Sequence, residues 1–185
     1  MNATIAKINS IIESKIGIKN AVLFGVAEAV LVNEGEGFEN VLPQIIDPNG
    51  ECHDVLFDDA NNVSLYHRLN SKSYVTSRIA GYGDTPQRSV VYDMSMVVYG
   101  KRTAIDFMRL EHLCVEAIEN VAIGEKTIKT DVIATNFNRI AVFQSEYVGL
   151  PFPIQPDIFL FKINYKLTRV QSPCQSLKHH KYDTL

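Results

Sequence analysis

The segment from Asp157 to Thr168 alternates between two kinds of side chain. Apolar or aromatic groups stand at Phe159, Phe161, Ile163, Tyr165 and Leu167, and mostly polar groups lie between them, at Leu160, Lys162, Asn164, Lys166 and Thr168. Because successive side chains on a β-strand point to opposite faces, this period of two predicts a strand with one buried face and one face that meets water or a neighbour. A strand this regular, following a long helical pattern, favours a protein organised around an antiparallel sheet.

Further strands are predicted upstream. Ser89 to Tyr99 has apolar residues on one face and a partly apolar second face, which is typical of a central strand. Residues 21–32 read as strand followed by a loop. The segments 38–46 and 51–57 flank Asp47-Pro48-Asn49-Gly50, and this turn sequence predicts a hairpin.

Two segments have helical periodicity. Ile5, Ile8, Ile12 and Ile16 recur at steps of three and four, with Asn2 or Thr4 available as an N-cap and Gly17 as a C-terminal stop. The second helix is expected from Thr103 to about Val121 and is stopped by Gly124. In this helix Thr103 is the predicted cap, and Asp106 would favour the helix dipole.

The remaining segments are less regular. Residues 63–88 predict a strand, a long loop and a turn, whereas 126–135 and 139–147 predict two strands around Asn136-Phe137-Asn138. The prolines of 151–156 exclude a central strand there. The sequence therefore predicts an α+β fold, in which an antiparallel-dominated sheet is flanked by an N-terminal helix and one longer central helix. We expect one domain over residues 1–170 and a polar, mobile tail over 171–185.

Composition restricts the functional classes. The 185 residues are 46% hydrophobic and carry a net charge of −3, so the chain lacks the broad basic surface expected of a protein that grips phosphates. The N-terminus has no signal-peptide pattern, and no apolar run approaches the roughly 18 residues that span a membrane. We expect a soluble intracellular protein without a membrane partner. Cys52, Cys114 and Cys174 lack paired spacing, which favours reduced thiols.

Candidate chemical residues do not form a known motif. Cys52-His53-Asp54 places three potential metal ligands side by side, but neighbouring strand residues face opposite ways. His112 and Cys114 lie two positions apart on a helix and cannot converge on one ligand, so Cys114 is expected in the core. The pair His179-His180 is interpreted as part of a solvated or partner-bound tail.

No nucleophile has a recognisable base beside it, and the glycine pairs do not match a phosphate-binding loop. Asp58-Asp59 is interpreted as turn chemistry. Six basic residues of the middle third are either solvated loop charges or a surface for a polyanion: Arg68, Lys72, Arg78, Arg88, Lys101 and Arg102. We assign no catalytic, cofactor-binding or metal-binding residue and expect a protein that is not an enzyme.

The order of elements resembles that of the tail terminator and neck-ring proteins of tailed bacteriophages. The resemblance is carried by Ser89-Val90-Val91-Tyr92-Asp93-Met94-Ser95-Met96-Val97-Val98-Tyr99-Gly100, by the amphipathic helix after it, and by the alternating strand from Phe159 to Arg169. These segments cover about a third of the chain. The chain is somewhat long for a minimal tail terminator, so a terminator, a head-completion ring and an adaptor next to the tail tube stay open.

The resemblance implies a virion protein that is assembled in the host cytoplasm. It would form a homo-oligomeric ring, commonly a hexamer, that ends the tail tube or joins tail to head. Its partners would be neighbouring tail-tube and connector proteins, and basic loop residues such as Arg78, Arg88, Lys101 and Arg102 would line a channel for double-stranded DNA. Residues 71–88 and 151–156 are the expected contact segments. The alternative is a small-molecule- or peptide-binding α/β module, or an enzyme whose residues converge only on folding.

Overall fold

The computed structural model describes residues 1–33, 39–46, 51–55, 60–78, 86–152 and 155–170. Within these ranges the chain forms α1 (Asn2–Ile16), β1 (Ala21–Asn33), β2 (Glu39–Ile46), β3 (Cys52–Asp54), β4 (Val63–Arg78), β5 (Pro86–Lys101), α2 (Phe107–Asn120), β6 (Ile128–Asn136), α3 (Arg139–Glu146) and β7 (Ile158–Val170). None of the helices in these ranges is long and apolar enough to cross a membrane. The expected polar tail, 171–185, lies outside the described residues.

The strands form one sheet in the order β3-β2-β1-β4-β5-β7-β6. All neighbouring strands are antiparallel except β1 and β4, which run parallel. The predicted α+β fold with an antiparallel-dominated sheet is therefore confirmed. The strand predicted at Ser89–Tyr99 is central, because β5 is paired with β4 on one side and with β7 on the other. The hairpin pairing of β2 with β3 is also confirmed, while its turn at 47–50 lies outside the described residues.

Helices α1 and α2 cover one face of the sheet. The four isoleucines of α1 are buried, and so are the α2 residues Leu110, Cys114, Ala117 and Ile118. They pack against the alternating apolar residues of β7: Phe159, Phe161, Ile163, Tyr165 and Leu167. Full burial of one such side chain stabilises the fold by about 1.5–3 kcal/mol, so this face is the main core.

The other face of the sheet is covered by α3. Val142, Phe143 and Tyr147 pack on Tyr66 and on Leu160, which accounts for the one apolar residue at the polar positions of β7. The Phe143 and Tyr147 rings stack with their centroids 4.9 Å apart. The described part of the chain is thus layered, with two helices on one face of the sheet and one shorter helix on the other.

The predicted helix starts were wrong. Helix α1 begins after Met1, and neither Asn2 nor Thr4 caps it with its side chain. Helix α2 begins at Phe107 because the Asp106 carboxylate accepts hydrogen bonds from the backbone N–H groups of Met108 and Arg109, at 2.8 and 3.0 Å. Residues 102–105 form turns instead of a first helical turn. At 14 residues α2 is also not the longer helix, since α1 has 15.

The segment 139–147 was predicted as a strand and is helix α3. Its buried residues are Val142, Phe143 and Glu146, a spacing of one and three that places them on one side of a helix. The Asn138 side chain accepts a hydrogen bond from the N–H of Ala141 at 3.1 Å and caps the helix. The apolar residues Ile140 and Val142 alternate as they would in a strand. The side chains that are buried, however, follow the helical spacing of Val142, Phe143 and Glu146.

The segment 71–78 was predicted as a loop and continues strand β4. Its residues pair one by one with β5, from Ser71 opposite Asp93 to Arg78 opposite Pro86. Scattered polar residues suggested a loop because the side chains of 71–77 are exposed on both faces of this strand. The pairing partner β5 satisfies the backbone hydrogen bonds that a long surface loop would leave to water. The predicted turn at 81–86 lies mostly outside the described residues.

Gly100 carries a testable prediction about the core. A Cβ atom at this position would lie 2.7 Å from Phe159 Cζ and 2.8 Å from the carbonyl oxygen of Asn62. That oxygen already accepts a hydrogen bond from the N–H of Lys101 at 2.9 Å, so a shift away from the new atom would lengthen or break this hydrogen bond. We expect Gly100→Ala to lower the free energy of unfolding by about 1–3 kcal/mol in urea titrations. In the matched variant Gly25→Ala the new Cβ atom has no neighbour within 4 Å. The free energy of unfolding of this variant should be unchanged or slightly higher. Equal losses of stability in both variants would contradict the prediction.

Candidate functional site

The surface with most potential for contact is the end of the sheet where β4 has no described partner on its outer edge. The parallel pairing of β1 with β4 ends at Ala27 opposite Arg68, whereas β4 stays paired with β5 up to Arg78. A bulge at Asn70 separates the two parts of β4. We call residues 71–78 and 86–93 the arm. On its inner side β5 is paired with β7 as far as Ser89 opposite Val170, so only 76–78 and 86–88 extend past the other described strands.

The arm carries apolar and basic side chains into solvent. Residues 70–77 are all exposed, with 68% of Tyr74 and 49% of Val75 accessible. Directly opposed residues share a face of the arm, so Lys72 and Tyr92 lie together with Tyr74. The Lys72 ammonium lies 5.2 Å from the Tyr74 ring centroid and 5.8 Å from that of Tyr92. A hydrogen bond with Tyr74 raises the pKa of Lys72, which keeps this face cationic.

The outer edge of the arm differs from the far edge of the sheet. Strand β6 ends the sheet with exposed Lys129 and Asp131 and with a bulge between Val132 and Ala134, features that discourage edge-to-edge pairing. Beyond Arg68, no described strand pairs with the outer edge of β4. A strand edge of this kind is a template for contact with a second chain.

A buried ionic cluster fixes α3 to the sheet. The Glu146 carboxylate is fully buried and accepts a hydrogen bond from Arg68 Nη1 at 2.8 Å and one from Lys162 Nζ at 2.6 Å. The Tyr66 hydroxyl donates to the same carboxylate at 3.3 Å, and burial raises the pKa of Tyr66 well above its usual value. Each member comes from α3, β4 or β7, so the cluster joins the helix to the sheet.

A second buried polar group lies on the opposite face. His67 has Nδ1 2.8 Å from the Tyr165 hydroxyl and Nε2 2.9 Å from Asn9 Oδ1. Asn9 Nδ2 donates to the carbonyl of Phe24 at 2.8 Å, so its Oδ1 must accept from His67, and Tyr165 donates to the other ring nitrogen. Burial lowers the pKa of His67 to about 3, which makes the imidazole a neutral structural link and a poor general base.

The candidate chemical residues are distributed over the molecule. Cys52, His53 and Asp54 are exposed on β3, where Asp54 accepts a 2.6 Å hydrogen bond from Gln44. Within the described ranges no three His, Cys, Asp or Glu side chains are grouped as metal ligands. Cys114 is in the core, as predicted, and burial raises its pKa. The pairs His179-His180 and Asp58-Asp59 lie outside the described residues.

The six basic residues of the middle third do not share one surface. Arg68 is engaged by Glu146, while Lys72 and Arg88 are on the arm. Lys101 and Arg102 are at the other end of β5, about 40 Å from Arg88 at the rise of a strand. The side chain of Arg78 lies outside the described part of the chain. The described basic residues therefore do not form one compact patch, and contact of any of them with a polyanion stays a prediction.

The connector at 151–156, the other expected contact segment, is anchored to α3. The Phe152 ring packs edge-on against Phe143, with centroids 5.2 Å apart. Arg139 Nη1 donates to the carbonyls of Gln155 and Ile158 at 3.2 and 2.8 Å. These contacts hold the described part of the connector on the subunit, so the arm is the better candidate for contacts between subunits. Pro153 and Ile154 lie outside the described residues.

Two open grooves lie beside α1. One, of about 490 Å³, lies between α1 and the first two strands and is lined by apolar residues, including Ile5, Leu23 and Val26, and by polar residues, including Asn9 and Glu13. The second, of about 510 Å³, lies where the end of α1 meets the start of α2 and contains Arg102 and Arg109. The α2 N–H groups in that groove are already capped by Asp106.

No protein-family model matches the chain, and no curated protein matches it either. Function is therefore inferred from the residue patterns and from the geometry of the arm, the buried clusters and the grooves.

Proposed function

We propose that this chain is a structural protein of a tailed-bacteriophage virion. In this proposal its copies close into a ring, of six subunits in the simplest case, at the end of the tail tube or in the neck. The ring stops tail growth or joins tail to head, and its neighbours are tail-tube and connector proteins. The resemblance of the element order supports the virion role, and the arm supports self-assembly.

The arm is the observation that carries the proposal. Along the arm β5 is also paired with β7, as far as Ser89 opposite Val170, but no described strand pairs with the other edge of β4. The arm therefore presents Tyr74 and Val75 to solvent together with an open strand edge. Contact with a second subunit would bury the two side chains and satisfy the edge, and repetition of such a contact by rotation closes a ring.

The buried titratable groups support a structural role. Glu146 is occupied by two cations, and His67 by Asn9 and Tyr165. Cys114 is enclosed in the core. Groups that act as acids, bases or nucleophiles need access to substrate, and each of these groups is instead used to join a helix to the sheet or to fill the interior.

The proposal is tested by the mass of the purified protein, measured by light scattering after size exclusion and by negative-stain imaging. We expect a multimer with a central hole, formed alone or with neighbouring tail components. The double variant Tyr74→Ser/Val75→Ser should run as a monomer with unchanged thermal stability, because it removes the apolar contact without touching the core. The matched control Met108→Ser removes an apolar residue that is 43% exposed at the start of α2, near the end of the sheet opposite the arm, and it should assemble normally.

A protein that stays monomeric under all of these conditions would contradict the proposal. The first groove is the place where the alternative, a small-molecule- or peptide-binding module, would be expected, because its volume is within the range of ligand pockets. A monomer that retains a ligand through purification, detected by mass spectrometry, and loses it in Val26→Trp would establish that alternative instead.

A further inference from the structure

Charge is divided unevenly along the first half of the sequence. Residues 20–67 contain no Lys or Arg and nine acidic residues: Glu28, Glu34, Glu36, Glu39, Asp47, Glu51, Asp54, Asp58 and Asp59. The next segment, 68–92, contains four basic residues and one acidic residue. The overall charge of −3 hides this separation along the sequence.

The acidic part includes a three-stranded extension that we call the wing, residues 28–33, 39–46 and 52–54. It forms because β1 exchanges its partner β4 for β2 after Ala27. Glu28 lies opposite Gln44, and Gln44 lies opposite Asp54, so the three side chains form a row on one face. Ile46, two positions from Gln44, lies on the same face and is 55% exposed.

The arm has a face of opposite charge. Lys72 opposes Tyr92, Tyr74 opposes Val90, and Thr76 opposes Arg88, so the two cations and Tyr74 share one face of the arm. Lys72, Tyr74 and Arg88 are exposed, whereas Val90 between them is buried. Ile46 of the wing and Tyr74 of the arm are both exposed in one subunit, so neither covers the other.

We propose that the arm face of one subunit docks on the wing face of a second copy, with Lys72 and Arg88 against Glu28 and Asp54 and with Tyr74 against Ile46. The inference rests on the proposed ring and names its interface. Because the two surfaces differ, the contact is heterologous, and each subunit still has one free arm and one free wing after the first contact. Further subunits add through the same contact until the rotation between neighbouring subunits brings the last arm onto the first wing and closes a ring.

Charge reversal tests the pairing. The arm-reversed variant is Lys72→Glu/Arg88→Glu, and the wing-reversed variant is Glu28→Lys/Asp54→Lys. When either reversed variant is present alone, like charges face each other at every interface. We expect its association constant, measured by light scattering at low salt, to fall more than about tenfold. An equimolar mixture restores opposite charges at every contact of an alternating ring, so we expect the wild-type mass to return. Lys19→Glu/Arg109→Glu has the same change in net charge as the arm-reversed variant and should assemble as wild type, because both residues lie at the end of the sheet opposite the arm.

The outcomes are distinct. If the wild type assembles and both reversed variants assemble equally well, the docking assignment is overturned and the ring is retained. If the variants are monomeric and the mixture does not recover, the assignment is also overturned. A wild type that never assembles removes both the ring and its interface. If arm reversal leaves the mass unchanged and abolishes binding to a short DNA duplex, the arm is assigned to DNA and the docking assignment falls.

Folding of each variant is checked by circular dichroism and thermal melting. The milder pair Lys72→Gln/Arg88→Gln and Glu28→Gln/Asp54→Asn removes the charges without reversing them, and it replaces either reversed variant that does not fold. The milder variants should weaken assembly in the same direction by a smaller factor. Unchanged assembly in both would overturn the assignment. Raising the salt should weaken wild-type assembly, because exposed charge pairs are screened beyond about 8–10 Å.

Discussion

Replacement of Glu146 by alanine is expected to lower the free energy of unfolding by about 3–5 kcal/mol, measured by urea titration. The carboxylate is buried between Arg68 Nη1 and Lys162 Nζ, at 2.8 and 2.6 Å. Its removal leaves two partly buried cations that repel each other and no longer have an anion. The Tyr66 hydroxyl loses the same acceptor. A loss below about 1 kcal/mol would contradict the prediction.

Two controls separate the buried charge from other effects. Glu125→Ala removes an exposed ion pair with Lys7, at 3.3 Å, and should cost at most about 1 kcal/mol. The triple variant Arg68→Met/Glu146→Leu/Lys162→Met removes all three charges and keeps apolar volume. It should recover much of the stability that Glu146→Ala loses, because replacement of a whole buried ion cluster is far less costly than removal of one partner.

Lowering the pH from 7 to 5 is expected to destabilise the protein by about 2 kcal/mol through His67 alone. Burial lowers the pKa of this histidine to about 3 in the folded state, against about 6.5 in the unfolded chain. Between these two pKa values His67 is therefore protonated in the unfolded chain and neutral in the folded protein. The stabilising contribution is complete above pH 6.5 and is lost, by about 1.4 kcal/mol per pH unit, as the pH falls toward 3.

The measurement is a series of urea titrations between pH 7.5 and 5, above the range in which ordinary carboxylates titrate. His67→Gln should have a lower stability at pH 7.5 and a flatter pH dependence, because the amide keeps polar contacts without titrating. His112→Gln changes an exposed histidine and should keep the wild-type slope. The same slope in wild type and His67→Gln would show that another group is responsible.

The buried clusters around Glu146 and His67 make the subunit of the proposed ring rigid. Glu146 joins α3 to β4 and β7, and His67 joins β4 to α1 through Asn9 and to β7 through Tyr165. Strand β4 takes part in both clusters immediately before it continues into the arm. Because the arm continues a fixed strand, its side chains are held at a defined angle, which a closed assembly of identical subunits requires.

The elements that could be predicted from sequence are those with a strong period and one buried face. The alternation from Phe159 to Leu167 predicts β7, and the isoleucines at steps of three and four predict α1, because both patterns are the direct consequence of where successive side chains point. The prediction failed at 71–78, which is exposed on both faces, and at 139–147, where a short helix has an alternating apolar pattern. A period carries information only when one face is buried.

The tertiary structure alone determined the polar clusters, the arm and its open edge. Glu146 meets Arg68 across 78 residues of chain, and His67 meets Tyr165 across 98, and no local pattern marks either pair. The open edge of β4 exists because β1 pairs with β4 only as far as Ala27 opposite Arg68, two residues that are 41 positions apart in the chain, and then pairs with its sequence neighbour β2. Local preferences depend on neighbouring residues, whereas strand pairing and buried ion pairs depend on which distant segments the fold brings together.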